Sequence, residues 1–289
     1  MEIAGPRRGK LTGHTVDGRG AAAGHIAAGH ASTGHTGPNQ RGPFKEGNAM
    51  DNDSVAPAGR TALAEKMNAA LRLEPGKTAA ITIDCQRGNL EPAIASLPVP
   101  EAECERVIAG TNRMLALARR AGAPVIHVYT VYEEPLLGKH PFERAMLESK
   151  VSFTPHRESD FSRHKLPGSP EGEFMPDLDV RPEDYLIGSK RTFDMFYGTQ
   201  LEGLLRGLGC DTLLIAGCNT NTCVLASVFG AYCRGYRAVV PEDCVASAYG
   251  EDLHRFALAN IQRRLGWVLT LDALAEKLGA PAAAGDRAR

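Results

Sequence analysis

The stretch DTLLIAGCNTNTCVLASVFGAYCRGYRAVV, residues 211–240, decides the fold. It opens with an apolar run over 212–216 and passes through a short polar turn. A helix follows from about residue 221 to 234, and a second apolar run starts at Tyr236. Apolar strands joined by a helix belong to a parallel sheet covered on both faces. The turn also carries two cysteines, Cys218 and Cys223. Their spacing alone leaves open a metal site, a redox pair, or a nucleophile with a bystander.

The same alternation extends in both directions. Upstream, TAAITIDC (78–85), PVIHVYTVY (124–132) and DYLIGSK (184–190) read as strands. Residues 100–122 carry helical apolar spacing and end at Gly122, and 198–209 form a second helix with a glycine stop. Downstream come a strand over 236–244, a helix over 251–266, a strand over 267–272 and a closing helix over 272–279. The expectation is an α/β fold of three layers, α/β/α, around a six-stranded, mostly parallel, Rossmann-like sheet. Residues 133–180 interrupt the pattern as a long, mostly irregular insertion, the kind of segment that often serves as a lid or interface arm.

Composition sets the outer limits. With 289 residues, 43% hydrophobic and 23% charged, the chain has ample material for a buried core. A net charge of -1 gives no reason to expect nucleic acid or an anionic membrane as partner. No apolar run approaches the roughly 20 residues of a membrane span. The opening MEIAGPRRGKLTGH lacks an apolar core after its basic residues, so a cytoplasmic location is expected. Seven cysteines, an odd number with no CxxC pair, argue against a disulfide framework and a zinc ribbon. Residues 1–55, rich in Gly, Ala and His, predict a disordered extension. Within it, His25, His30 and His35 offer a weak metal-binding tail as the sharper alternative, and Met50 an alternative start. The folded domain is expected over 56–280, with a flexible tail at 281–289.

In an open parallel sheet, ligands bind beyond the carboxyl ends of the strands. Strand one delivers Asp84 there, strand three Lys190, and the loop after strand four Cys223. Each has a plain alternative as a cap, a solvated lysine or a small buried side chain. Their joint placement is what points to chemistry. A helix N-terminus and an ammonium favour a thiolate, a carboxylate can take and return the thiol proton, and backbone N–H groups at the turn can hold an oxyanion.

These residues resemble the isochorismatase-like cysteine hydrolase superfamily. The resemblance rests on AAITIDCQRG, on GSK with F-Y-G-T-x-L after it, and on GCNTNTCV, over roughly residues 75–275. It implies a triad of Asp84, Lys190 and Cys223, a cis peptide at Cys218–Asn219, and an oxyanion hole from the N–H groups of Asn219 and Cys223. Family members often read D-x-Q-x-D-F after the first Asp, where this chain has DCQRGNL. Gln86 and Arg87 are the expected substitutes for that loop's substrate contacts, with Phe196 and Tyr197 as further pocket residues. Nicotinamidases in the family carry an Asp-x-His metal site after the second strand; HVYTVYEEP has none, so neither metal nor cofactor is expected and His127 reads as structural.

True isochorismatases generally lack a cysteine at the position of Cys223. Its presence implies an amidohydrolase that cleaves a C–N bond of a small amide, ureido or carbamoyl compound through a thioester. The alternatives are a vinyl-ether hydrolase and a non-catalytic ligand-binding protein on the same fold. The family also implies a homodimer or homotetramer, with a small-molecule substrate as the only other partner.

Overall fold

The computed structural model of the chain describes residues 60–133, 140–149 and 164–279. They all lie in one of two compact units, Asp53–Arg289; the other, Met1–Asn52, falls outside the described residues. The extension expected over 1–55 and the tail over 281–289 therefore lie outside them as well, as does much of the insertion.

Six strands form where the apolar runs predict them: β1 (Thr78–Ile83), β2 (Val125–Thr130), β3 (Tyr185–Lys190), β4 (Thr212–Cys218), β5 (Arg237–Pro241) and β7 (Trp267–Leu269). A seventh, β6 (Val245–Ala246), pairs with the end of β4. It corrects the expected count of six. Two residues show no periodicity, so β6 is invisible before its partner is known. The order is β3-β2-β1-β4-β5-β7, and every strand pair is parallel. The chain runs outward from β1 through β2 to β3, then returns to lay β4 on the other side of β1. The gap between the ends of β1 and β4 is thus the switch point of the sheet, where such folds hold ligands.

Each face of the sheet carries its own core. Every residue of β1 is buried, and its side chains alternate between faces. Ala80 shares one core with Leu214 and Ala216 and with helix α3 (Glu101–Arg120), which contributes Val107, Met114 and Leu115. Ala79, Ile81 and Ile83 share the other with Leu213 and Ile215, with Leu201 and Leu205 of α5 (Leu201–Gly207) and with Val228 of α6 (Leu225–Cys233). Complete burial of side chains this size stabilises by about 1.5–3 kcal/mol each. Helix α3 has Glu101 and Glu103 in its first turn and Arg119 and Arg120 in its last, which complements its dipole.

Among the described residues of the insertion, one longer stretch is regular. Residues Pro141–Ser149 form a helix, α4. Its signal was present: a proline at the first helical position, then Phe142 and Met146 one turn apart.

Candidate active site

Asp84 follows β1 directly and adopts a left-handed backbone, φ 52°. That conformation is uncommon for residues other than glycine, and Asp is among those that tolerate it best. One strand over, Gly217 lies opposite Ile83 with φ 119°. A Cβ at Gly217 would sit 1.9 Å from the carbonyl oxygen of Ile83. Glycine therefore permits the close approach of β1 and β4 beside the reactive groups.

Lys190 ends β3, two strands from β1, and its side chain spans the end of β2. Its Nζ donates to Thr130 Oγ1 at 3.0 Å, to Asp84 Oδ2 at 2.6 Å and to Cys223 Sγ at 3.5 Å. Thr130 Oγ1 in turn donates to Asp84 Oδ1 at 2.9 Å. Thr130 was not among the expected site residues, although its place at the carboxyl end of β2 was a usable signal. Asp84 and Lys190 are each 1% exposed, so this ion pair is dry.

Cys223 lies in a π-helical turn, Thr220–Val224, that leads into α6, not in the first turn of an α-helix. Burial pushes its thiol above the ordinary value, and the nearby Lys190 only partly offsets this. An ammonium and a helix terminus favour a thiolate, but at Cys223 burial outweighs them, and the resting group is a thiol. Burial also pushes the Asp84 carboxyl up, but the charges of Lys190 and Lys165 and the Lys190 hydrogen bond outweigh it and hold it at about 2. Lys190 loses by desolvation and gains more from Asp84 and Cys223, so its ammonium is strengthened. The resting site is a neutral thiol beside an ionised acid and an ammonium.

The turn is pinned from outside. Asn219 Oδ1 accepts from Ala248 N at 2.9 Å, Asn221 Oδ1 from Ser247 Oγ at 2.6 Å, and Thr220 Oγ1 meets His254 Nδ1 at 2.9 Å. The Cys218–Asn219 peptide is cis. Cys218 is fully buried with its thiol donating to Asp84 O at 3.4 Å.

Asp84, Lys190, Asn219 and Cys223 all line one cavity of about 420 Å³, within the range of small-molecule sites. Its wall is largely apolar, from Leu97, Phe193 and the Phe142 and Met146 of α4. Asn89, Lys165 and Tyr249 add polar groups.

The four expected substrate contacts are elsewhere. Gln86 is fully buried; its amide donates to Thr130 O and Gly172 O, both at 2.8 Å, and accepts from Thr130 N at 3.1 Å. It clamps backbone and does not line the cavity. Arg87 pairs with Glu91 and Glu173. Phe196 stacks on Tyr236 with Arg234 over its ring, and Tyr197 is 66% exposed. His127 has both ring nitrogens engaged, Nδ1 with Thr82 Oγ1 at 2.7 Å and Nε2 with Asp184 Oδ2 at 3.1 Å. Among the described residues, no group of three or more His, Cys, Asp or Glu is arranged to hold a metal ion, and no helix is long and apolar enough to cross a membrane.

The chain is similar in sequence and in fold to known proteins. A family model described as the isochorismatase domain matches residues 78–273. A ureidoacrylate amidohydrolase of Methylobacterium radiotolerans is 30% identical over 218 residues, 74% of this chain and 84% of that protein. A maleamate amidohydrolase of Pseudomonas putida is 28% identical over 197 residues, 67% and 83% of the two chains. In fold, the chain is similar to a cysteine hydrolase from Pseudomonas syringae, with a TM-score of 0.61 at 20% identity over 72% of this chain and 95% of that one.

Proposed function

The chain belongs to the isochorismatase family, and on that premise we propose that it is a cysteine-dependent amidohydrolase. It cleaves a C–N bond of a small amide, ureido or carbamoyl compound. The observation that carries the reading is Lys190 Nζ at 2.6 Å from Asp84 and 3.5 Å from Cys223, on a cavity of small-molecule size. The names of the amidohydrolase relatives support the same bond type.

In this reading Asp84 takes the thiol proton as Cys223 Sγ bonds to the substrate carbonyl carbon. The carbonyl π electrons move to oxygen, and the N–H groups of Asn219 and Cys223 hold the oxyanion. Collapse breaks the C–N bond, and Asp84 returns the proton to the leaving nitrogen. A water, losing its proton to Asp84, then bonds to the thioester carbon; the C–S bond breaks, the acid product leaves, and Asp84 returns the proton to Cys223 Sγ. Lys190 holds Asp84 ionised at the start of each half, so that it is ready to take the proton. The scheme uses no metal or cofactor. The same reading has the protein cytoplasmic and homo-oligomeric, and the exposed Phe229, Tyr232 and Phe256 support the second point.

An ammonia-release screen over small amides, ureas and carbamoyl compounds, with intact-mass trapping of the acyl-enzyme, tests the reading. Cys223→Ala is expected to lower turnover by roughly 10⁴-fold or more, whereas Cys218→Ala keeps most of it. Turnover retained in Cys223→Ala sinks the cysteine mechanism.

A further inference from the structure

Beyond the charge it lends to holding Asp84 ionised, Lys165 has no role described so far. It is 3% exposed, yet it lines the cavity that holds Asp84 and Cys223. Among the described residues it makes no ion pair. The cavity's two acids do not serve it: Asp84 is bound to Lys190, and Glu143 of α4 forms no salt bridge with it. A buried lysine without a counter-ion is costly and rarely kept without a partner.

Its position is fixed by the backbone. Lys165 has φ 54°, left-handed for a residue that gains nothing from that region. Its carbonyl oxygen accepts from Tyr132 N at 3.0 Å, which ties it to the chain leaving β2. Its charge acts on both Asp84 and Cys223, so it lies within electrostatic range of the reacting atoms. The adjacent His164 adds no charge, because burial and then Lys165 hold its imidazole down at about 3. With Asp84 bound to Lys190 and Cys223 a thiol, Lys165 is the cavity-lining lysine that makes no salt bridge among the described residues.

We propose that Lys165 is a specificity-determining residue that binds a carboxylate on the substrate, so that the enzyme selects small amides carrying an anionic group. This rests on the cysteine hydrolase reading and narrows its substrate class. The apolar wall from Leu97, Met146 and Phe193 holds the carbon skeleton between the two ends. An ammonium–carboxylate contact at a dry site is a strong, charge-assisted hydrogen bond.

The test uses two alkylating reagents of nearly the same size, iodoacetate and iodoacetamide, on the full chain. Rates are read at the Cys223 peptide by mass spectrometry. Thiolate supply enters both rates alike, so their ratio reports only on the charge of the reagent. Relative to the unmodified chain, Lys165→Gln is expected to lower the iodoacetate-to-iodoacetamide ratio by roughly tenfold or more. Lys165→Arg, which keeps the charge, is expected to hold it. Labelling of Cys223 with an unchanged ratio in Lys165→Gln, including the case in which both rates fall together, overturns the assignment of Lys165 while leaving the nucleophile intact. Absence of Cys223 labelling by either reagent in the unmodified chain brings down the cysteine reading and this assignment with it. Continued iodoacetamide labelling in Lys165→Gln shows that the pocket still folds.

Discussion

Cys223 and Cys218 show how little a residue's identity says without its surroundings. Both are buried, and burial raises both thiols, Cys218 the more plainly. What separates them is an ammonium at 3.5 Å from one and a backbone carbonyl beside the other. Because the folded Cys223 thiol is raised, the thiolate is scarce at neutral pH and grows as pH rises. The rate of iodoacetamide labelling at Cys223 should therefore keep climbing past pH 9; a plateau below pH 8 would contradict a burial-dominated thiol. At this scale the sequence was legible where a strand end dictates position, as at Asp84 and Lys190. It misled at Gln86, Arg87, Phe196 and Tyr197, which sit near reactive residues in the chain but whose side chains are claimed by backbone amides, acids, another ring or solvent. Thr130 stands at the end of a strand that was itself readable, whereas Lys165 reaches the cavity through a left-handed turn that local residue order does not reveal.

Among elements, the close pass of β1 and β4 controls the site. Gly217 permits it, and Gly217→Ala adds a Cβ at 1.9 Å from Ile83 O on a backbone of φ 119°. Both faults act together, so the substitution is expected to destabilise by about 3 kcal/mol or more. Chemical denaturation would measure it, and a loss under about 1 kcal/mol would mean the strands part easily. The six longer strands were readable from apolar runs because β1 and β4 are buried on both faces and admit no polar alternation. Helix α4 escaped notice because charges and prolines surround it, although its Phe142 and Met146 follow helical spacing. The π turn before α6 replaces a plain helix start, and hydrophobic periodicity cannot separate the two.

For the whole molecule, acid is the condition that tests the ionised network. Asp84 is held at about 2, and Asp184, although raised by burial, ends below its usual value through bonds from Arg181, Arg119 and His127. A depressed carboxyl adds stability above its unfolded value of roughly 4, and that share is lost as pH falls toward the folded one. The buried His164, held at about 3, already costs stability as pH falls below the unfolded histidine value of roughly 6.5, so the melting temperature is expected to decline gradually from pH 7 to about 5 and to drop steeply between pH 4 and 2. A flat profile to pH 2 would show that these pairs contribute nothing. The layered fold follows from residue types that must hide, which is why its six longer strands were legible, whereas the cavity wall is assembled from segments whose packing partners lie far away in sequence. That division has a practical side. The reactive groups stand on strands tied down by Gly217, Thr130 and Gln86, while the surfaces facing a ligand come from α4, Leu97 and Phe193. A mutagenic library confined to Leu97, Phe142, Met146 and Phe193 can retune which molecule is accepted and leave the chemistry standing, whereas one spread over the strand ends would mostly return dead clones.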